Sequence, residues 1–206
     1  MDKVKKELRR IKTKVELRSA EGEEGQQVLE GYALKFNRDS EVLGRYIQFI
    51  ERIDSHALDK ADLSNVVCLF NHDENQVLGR NTVESGKGSL SLTVDNIGLR
   101  FQVRPTNTSY ARDLIENVDA KVVNQCSFAF SLSDDEDADE IEYDEDNGLY
   151  KRLIRNIGKI YDVSIVTNPA YDDTEVVVGS RKLQNIVTRK KELMQIELDL
   201  MQMEQL

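Results

Sequence analysis

The 206-residue sequence predicts an α+β domain: a closed or partly open antiparallel β-barrel with two or three surrounding helices, a long β-hairpin extension and a C-terminal helix. The first observation is a series of short segments in which apolar and polar residues alternate, separated by turn-forming residues, which is typical of antiparallel strands. The second is that so many short strands need their edges hidden, and closure into a barrel hides them. The third is that the last 30 or so residues lack turn signals, which indicates helix.

Composition agrees with one globular domain and two appendages. Hydrophobic residues make up 39% and charged residues 32% of the chain, near the average for soluble domains on the charged side. The chain is therefore predicted to divide into a basic N-terminal segment, a main domain and a helical tail, at residues 1–14, 15–175 and 176–206 respectively.

The strands and helices of the main domain follow from local patterns. The predicted strands show alternating apolar and polar residues or short apolar runs, and each helix starts at an Asp, Asn, Ser or Thr that can cap it. The predicted helices are HALDKADL, capped by Asp54 or Ser55, and TSYARDLIENVDA, capped by Asn107 or Thr108. The predicted strands are KVELRS, VLEGYALKFN, RYIQFIERI, NVVCLFNHD, LSLTV, LRFQV, VVNQCSFAFSL, IEYDED, LYKRLIRNI and KIYDVSIVTNPA, the last stopped at Pro169.

Both appendages show helical spacing. In the basic segment Val4, Leu8 and Ile11 fall on one helical face, which predicts a short amphipathic helix unless the segment is frayed. In the tail Ile186 and Leu193 belong to a short heptad pattern, which indicates a helix that docks on its own domain or on a partner.

The formal charge of -10 is concentrated in one run, DDEDADEIEYDED, between Asp134 and Asp146. The run holds ten acidic residues, and the rest of the chain has 28 acidic and 28 basic residues. Asn147 and Gly148 follow it and predict a type I′ hairpin turn. The run is predicted to be the solvated outer strand of a hairpin, with a contact for a basic partner as the alternative. The acidic balance argues against nucleic-acid binding, which needs clustered Lys and Arg.

Few residues could perform catalysis. Two cysteines and two histidines, without a second ligand pair at metal spacing, argue against zinc. There is no phosphate-binding Gly-rich loop, no GxSxG and no HExxH, so no metal and no cofactor is predicted. His56 lies among polar residues and is expected at the surface, whereas His72 follows an apolar strand, a place where catalytic groups are often held. The cysteines, Cys68 and Cys126, are expected to be thiols in a reducing compartment.

The stretch VVNQCSFAF sets two possible nucleophiles side by side. On a strand Cys126 and Ser127 must face opposite sides, because the side-chain period is two. The face of Ser127 carries small and polar residues and is predicted to be accessible to substrate, whereas the face of Cys126 carries Phe128 and Phe130 and looks like core. A serine needs a base and a third group that orients the base. From the residues alone the set is Cys126 or Ser127, His72 as base, and an acid.

Several segments, in this order, resemble the prohead (capsid maturation) protease family of tailed bacteriophages. They run from about Val28 to Tyr171 and cover roughly 70% of the chain. The most specific are NHD followed by LGR, the SFAF strand after a helix, and DVSIVTNPAY. The family is similar in fold to the herpesvirus assemblins, which are serine proteases built on a closed β-barrel.

The resemblance implies the roles of three residues. The histidine of NHD, His72, would be the base, and the serine of SFAF, Ser127, the nucleophile. The acidic residue before VSIVT, Asp162, is predicted to orient the imidazole, with Asp73 as second choice because adjacent side chains on an extended segment diverge. The long acidic hairpin and the cysteine before Ser127 depart from the family pattern.

The implied function is a serine endopeptidase that cleaves scaffold or scaffold-like capsid protein segments, and also itself, during procapsid maturation. Its expected partners are those substrates and possible copies of itself, without nucleic acid or membrane. Its expected place is the procapsid in the bacterial host cytoplasm, since the sequence shows no signal peptide and no apolar run long enough to span a membrane. The alternatives are an inactive assembly factor and a cysteine protease using Cys126.

Overall fold

A computed structural model describes residues 6–11, 15–19, 27–44, 46–167 and 180–203. The described residues form twelve strands and two helices, so the α+β class is confirmed. The helices are α1 (Ser109–Asp119) and α2 (Arg181–Met203). The strands are β1 (Glu7–Ile11), β2 (Glu16–Ser19), β3 (Gln27–Lys35), β4 (Phe49–Ile53), β5 (Val67–Phe70), β6 (Asp73–Arg80), β7 (Leu90–Val94), β8 (Gly98–Val103), β9 (Gln125–Leu132), β10 (Asp139–Asp144), β11 (Leu149–Ile154) and β12 (Ile157–Val166).

The strands form three sheets. The largest has the order β1-β9-β12-β5-β6, a second has the order β2-β3-β8-β7, and the third has the order β10-β11-β4. Most pairs are antiparallel, but β12 pairs with β5, and β11 with β4, in parallel. None of the three sheets closes on itself in the part of the chain that the structure describes, so the predicted closed barrel is not confirmed.

One large hydrophobic core lies between the sheets and α1. β9 and β12 supply its centre, because most residues of both strands are buried, as expected for strands covered on two faces. α1 closes one side: Thr108 takes the predicted N-cap position, and Ala111, Leu114 and Val118 are buried along one face. Burial of these three side chains is what fixes the helix against the sheet.

The acidic hairpin is present, but its turn differs from the prediction. β10 and β11 pair in antiparallel register from Asp139 opposite Ile154 to Asp144 opposite Leu149. A type I′ turn needs positive φ at both central residues, and of the pair predicted for it only Gly148 has positive φ, at 67°. The Gly148 amide donates to the carbonyl of Asp144 at 2.9 Å, which closes a longer loop.

The predictions of two helices are wrong. The basic segment contains the strand β1, because its backbone pairs with β9 and two of its charged side chains find buried partners. The stretch HALDKADL forms consecutive turns at residues 55–60, and the amide of His56 donates to Asp54 Oδ1 at 2.8 Å. Val4 and the predicted strand stop at Pro169 lie outside the described residues.

The C-terminal helix α2 confirms the predicted helical tail. Leu183 is fully buried beside Ile47 and Phe49, and Ile186 and Val187 pack against this second small core. Beyond them the apolar side chains of α2 are exposed: Leu193, Met194, Ile196, Leu198, Leu200, Met201 and Met203. Among the described residues, no helix combines the length and the apolar character that crossing a membrane requires.

Candidate active site

The candidate site lies on one face of the five-stranded sheet. Ser127 of β9 pairs directly with Ser164 of β12, so their side chains emerge next to each other on the same face. Asp162, two residues before Ser164, shares that face because the side-chain period of a strand is two. Two adjacent central strands therefore supply three of the polar groups of the site.

His72 reaches the site from the turn that joins β5 to β6. Asn71 and His72 have φ of 55° and 58°, and positive φ at both residues is what a two-residue type I′ hairpin requires. Asn and His are among the residues that adopt this conformation most readily. The turn is fastened to β12, because the Asn71 amide donates to the carbonyl of Ile165 at 2.9 Å and the Thr167 amide donates to Asn71 Oδ1 at 3.0 Å.

The structure brings the three predicted site residues together in a hydrogen-bonded chain. His72 Nε2 lies 2.6 Å from Ser127 Oγ, and His72 Nδ1 lies 2.6 Å from Asp162 Oδ1. All three side chains are shielded, since Ser127 is fully buried, Asp162 is 2% exposed and His72 is 9% exposed. An ionised Asp162 accepts a hydrogen bond from the Nδ1–H group of His72, which leaves Nε2 as the acceptor that faces the serine hydroxyl.

Asp162 is held in its charged form. Burial on its own raises the pKa of Asp162, but the hydrogen bond and charge of His72 bring the pKa below its ordinary value. The ammonium of Lys6, 3.0 Å from Asp162 Oδ2, lowers it further. The carboxylate is therefore ionised throughout the neutral range.

Sequence reasoning missed Ser164, a fourth polar residue of the site. Its hydroxyl donates to Asp162 Oδ1 at 2.9 Å and lies 3.1 Å from His72 Nδ1. It is fully buried, so it braces the carboxylate without contact with solvent. The signal in the sequence was the spacing in Asp-Val-Ser, which puts Ser164 on the same strand face as Asp162.

The other candidates lie elsewhere. Asp73 accepts hydrogen bonds from Asn75 and Gln76 in its own turn. Cys126 is fully buried in the main core, on the strand face opposite Ser127, as expected. Cys68 is also a buried thiol, and burial raises its pKa well above the ordinary value. His56 is exposed at the surface, near Asp59.

The face of Ser127 is not open, contrary to the prediction from the alternation. β1 pairs with β9 along its free edge, with Arg10 opposite Ser127. The Ser127 hydroxyl lies 2.8 Å from the carbonyl oxygen of Arg9, in position to donate to it. A segment of the same chain therefore occupies the β9 edge beside Ser127, and the Ser127 side chain is buried.

Comparison with known proteins identifies the family. No curated protein matches the chain significantly. Among solved structures, the bacteriophage T4 capsid assembly protease, gp21, is similar, with 14% sequence identity, a TM-score of 0.49, and coverage of 80% of this chain and 98% of that chain. That likeness is too small to bear on the chemistry. The family model described as caudovirus prohead serine protease matches residues 13–189, which is well over half of the chain. The chain therefore belongs to the caudovirus prohead serine protease family.

Proposed function

We propose that this chain is the serine endopeptidase that cleaves internal scaffold or scaffold-like capsid protein segments during procapsid maturation, using Ser127, His72 and Asp162. The observation that supports these roles is the continuous hydrogen-bonded chain from Ser127 Oγ through both ring nitrogens of His72 to Asp162 Oδ1. This order of nucleophile, base and orienting acid is what a serine hydroxyl needs to act at neutral pH.

The reaction follows from the order of the groups. His72 Nε2 takes the hydroxyl proton as Ser127 Oγ bonds to a peptide carbonyl carbon, and the imidazolium is stabilised by Asp162. The C–N bond then breaks, and His72 gives the proton to the leaving amine. Water attacks the acyl-enzyme with His72 again as base, the Oγ–C bond breaks, and the serine proton is restored. Ser164 and the backbone around the site keep the pair of His72 and Asp162 oriented.

The substrates we propose are internal proteins of the procapsid, and the chain itself. The family description, prohead serine protease, supports a substrate within the prohead. We place the enzyme in the procapsid assembled in the host cytoplasm. We also propose that the fold of this chain is similar to that of the herpesvirus assemblins.

Ser127, and not Cys126, is the proposed nucleophile. Cys126 lies in the core with Phe128 and Phe130, away from the imidazole, whereas Ser127 Oγ is within hydrogen-bond distance of it. A buried thiol in apolar surroundings is inert. Iodoacetamide treatment is therefore expected to leave cleavage intact, and inactivation by it, with Ser127→Ala still active, would favour the cysteine alternative.

The second alternative is an assembly factor without activity, which binds through the acidic hairpin and α2. The exposed apolar residues of α2 favour some binding role for the tail. A complete hydrogen-bonded set of Ser, His and Asp, however, has no use in a protein that only binds. We therefore assign the hairpin and α2 to positioning the enzyme, with residues 15–175 as the protease domain.

The test is processing of procapsid proteins, followed by gel electrophoresis and mass spectrometry. Ser127→Ala is expected to reduce the cleavage rate by at least about 10⁴-fold, and Asp162→Asn by about the same factor, as in other serine proteases. Ser131→Ala is the matched control, because Ser131 lies on the same strand, is also buried, and contacts Tyr161 instead of the site. Unchanged cleavage by Ser127→Ala would refute the proposed nucleophile.

A further inference from the structure

The N-terminal strand β1 presents one of its own peptide bonds to the nucleophile. The Arg9 carbonyl oxygen lies 2.8 Å from Ser127 Oγ. A C=O bond is about 1.23 Å long, so the carbonyl carbon of Arg9 lies within about 4 Å of Oγ. Reacting atoms in a productive complex are about 3–3.5 Å apart. The peptide bond between Arg9 and Arg10 therefore lies next to Ser127 Oγ, close to the place that a scissile bond would take.

The same contact withholds the serine proton. A hydroxyl has one proton to donate, and Ser127 Oγ has two acceptors in reach, Arg9 O at 2.8 Å and His72 Nε2 at 2.6 Å. While the hydroxyl donates to Arg9, His72 cannot remove its proton. Lys6, immediately before β1, also offsets the charge of Asp162 that stabilises an imidazolium.

β1 lies outside the residues that match the family model. The residues that match the prohead protease family begin at 13, after β1 has ended at Ile11. β1 is also the outermost strand of its sheet, so its departure would leave the edge of β9 open beside Ser127. An open sheet edge binds an extended polypeptide as an added strand, through backbone hydrogen bonds. The edge of β9 is thus a place where a substrate strand can bind.

Buried ion pairs hold β1 to the third sheet. Glu7 accepts from Arg152 Nη1 at 2.7 Å and Nη2 at 3.0 Å, and Arg9 Nε donates to Glu51 Oε1 at 2.7 Å. All four side chains are at most 5% exposed. Burial by itself lowers the pKa of Arg9, yet Glu51 and Glu7 raise it above the ordinary value, so the guanidinium is charged in this site.

From these contacts we propose that β1 is a built-in substrate-like strand, which blocks the active site until it leaves the edge of β9. This inference rests on the proposed function, because it takes Ser127 as the nucleophile. A strand that replaces β1 places alternate side chains against Arg152 and Glu51. The preferred substrates are therefore extended peptides with an acidic residue, then any residue, then a basic residue directly before the cleaved bond.

The matching of charges explains this preference. The guanidinium fork of Arg152 binds a carboxylate with two parallel hydrogen bonds, which an amide or an apolar side chain cannot reproduce. Glu51 offers the complementary acceptor to a guanidinium. A strand without these charges would leave Arg152 and Glu51 in a dry site without the partners that β1 now gives them, and that is costly.

The first experiment measures access to Ser127 with a fluorophosphonate, which reacts covalently with an activated serine. The full-length chain is compared with a double variant, Glu7→Gln with Arg9→Gln, that loosens β1. Labelling is expected to be at least about tenfold faster in the variant, because more of the molecules have an open β9 edge. The matched control is Glu16→Gln with Arg18→Gln on β2, which has the same Glu-Leu-Arg sequence, and its rate is expected to equal that of the wild type.

The outcomes separate the two proposals. Equal labelling of Ser127 in all three proteins would overturn the blocking role of β1 and leave the proposed function intact. An absence of labelling in all three would overturn the proposed function, and the inference with it.

A second experiment keeps the inference testable if the double variant fails to fold. The peptide VKKELRRIKTK, residues 4–14, is added to the wild-type chain, with a second peptide in which Glu7 and Arg9 are replaced by Gln. The first peptide is expected to be cleaved after its Glu-Leu-Arg, at least about tenfold faster than the second. Equal rates, or cleavage at another bond, would refute the proposed substrate preference.

Discussion

The tripeptide Glu-Leu-Arg occurs in β1 and again in β2, and its side chains face opposite ways in the two strands. In β1, Glu7 and Arg9 are buried and Leu8 is 44% exposed. In β2, Glu16 and Arg18 are about 60% exposed and Leu17 packs against the main core. The same three residues therefore expose their leucine in one strand and their charges in the other.

Partners from distant parts of the chain cause this difference. β2 follows the usual rule, with the apolar residue on the core and the charges in solvent. β1 reverses the rule because the buried charges of Arg152 and Glu51 pair with its own charged side chains. A buried charge without a partner would be costly. A strand register is set by what each face meets, and in β1 the face shared with Phe128 and Phe130 meets a buried ion site.

Arg152 should give the largest effect. It is fully buried and pairs with Glu7, Glu51 and Asp139, so Arg152→Met leaves three buried carboxylates with much less positive charge. We expect the free energy of unfolding to fall by about 3–5 kcal/mol, measured by urea denaturation. The control Arg155→Met, from an exposed ion pair with Glu140, should cost less than about 1 kcal/mol. Equal losses would mean that the buried site does not stabilise β1 or its surroundings.

The two glutamates test the comparison directly. Glu7→Ala removes the carboxylate bound by the fork of Arg152, and we expect a loss of about 1–3 kcal/mol. Glu16→Ala removes an exposed carboxylate that lies 3.9 Å from Arg18, and stability should change by no more than about 0.5 kcal/mol. Thermal and urea unfolding of both variants measure this, and a larger effect at Glu16 would contradict the assignment of faces.

The two leucines should respond in the reverse order. Leu17→Ala removes a side chain that packs against the main core, with an expected cost of about 1 kcal/mol for partial burial. Leu8→Ala removes a side chain that is 44% exposed and should change stability by no more than about 0.5 kcal/mol. The same unfolding measurements apply, and a greater loss at Leu8 would show that β1 has another register in solution.

The smallest expected effect is the pH dependence contributed by Arg18. Burial raises the pKa of Glu30, but hydrogen bonds and charges from Gln102, Arg100 and Arg18 bring it below the ordinary value. The stabilisation is therefore complete above the unfolded pKa of about 4.3, and is lost as the pH falls through the lower folded pKa. Arg18→Gln should make the loss of stability on acidification shallower by a few tenths of a kcal/mol. Urea titrations between pH 5 and pH 3 measure the slope, and an unchanged slope would contradict the ion pair.

The three residues proposed for the candidate site were named from the sequence, whereas their surroundings were not. Alternation along β9 separated Ser127 from Cys126 correctly, and the resemblance named His72 and Asp162, which the structure brings within hydrogen-bond distance of each other. Ser164 was missed because its role depends on the register between β9 and β12, which no local pattern encodes. The cover over Ser127 was missed because the apolar spacing of the first residues also fits a helix, and only the distant Arg152 and Glu51 decide for a strand.

The errors in the predicted fold have a similar origin. The hairpin of β10 and β11 was predicted, yet its Asn-Gly pair does not form the predicted type I′ turn. Two consecutive residues with positive φ occur instead in the β5–β6 hairpin, at Asn71 and His72, a pair that is a weaker turn signal. Ten of the twelve strands were predicted segment by segment, whereas β1 and β6 were not, and the three sheets depend on long-range pairing. The parallel pair of β11 with β4 joins residues about one hundred positions apart.

The two hydrogen bonds of Asn71 that fasten the β5–β6 turn have a mechanical consequence. Asn71 is bonded through its amide to Ile165 of β12 and through its side chain to Thr167, directly after β12, and Asp162 is part of β12. The imidazole and the carboxylate are therefore held by one rigid part of the sheet, and the backbone pairing of β9 with β12 sets where the serine lies relative to them. A shift of β9 along β12 would move Ser127 away from the imidazole while His72 and Asp162 stay together. The register between β9 and β12 therefore controls whether the serine lies within reach of its base.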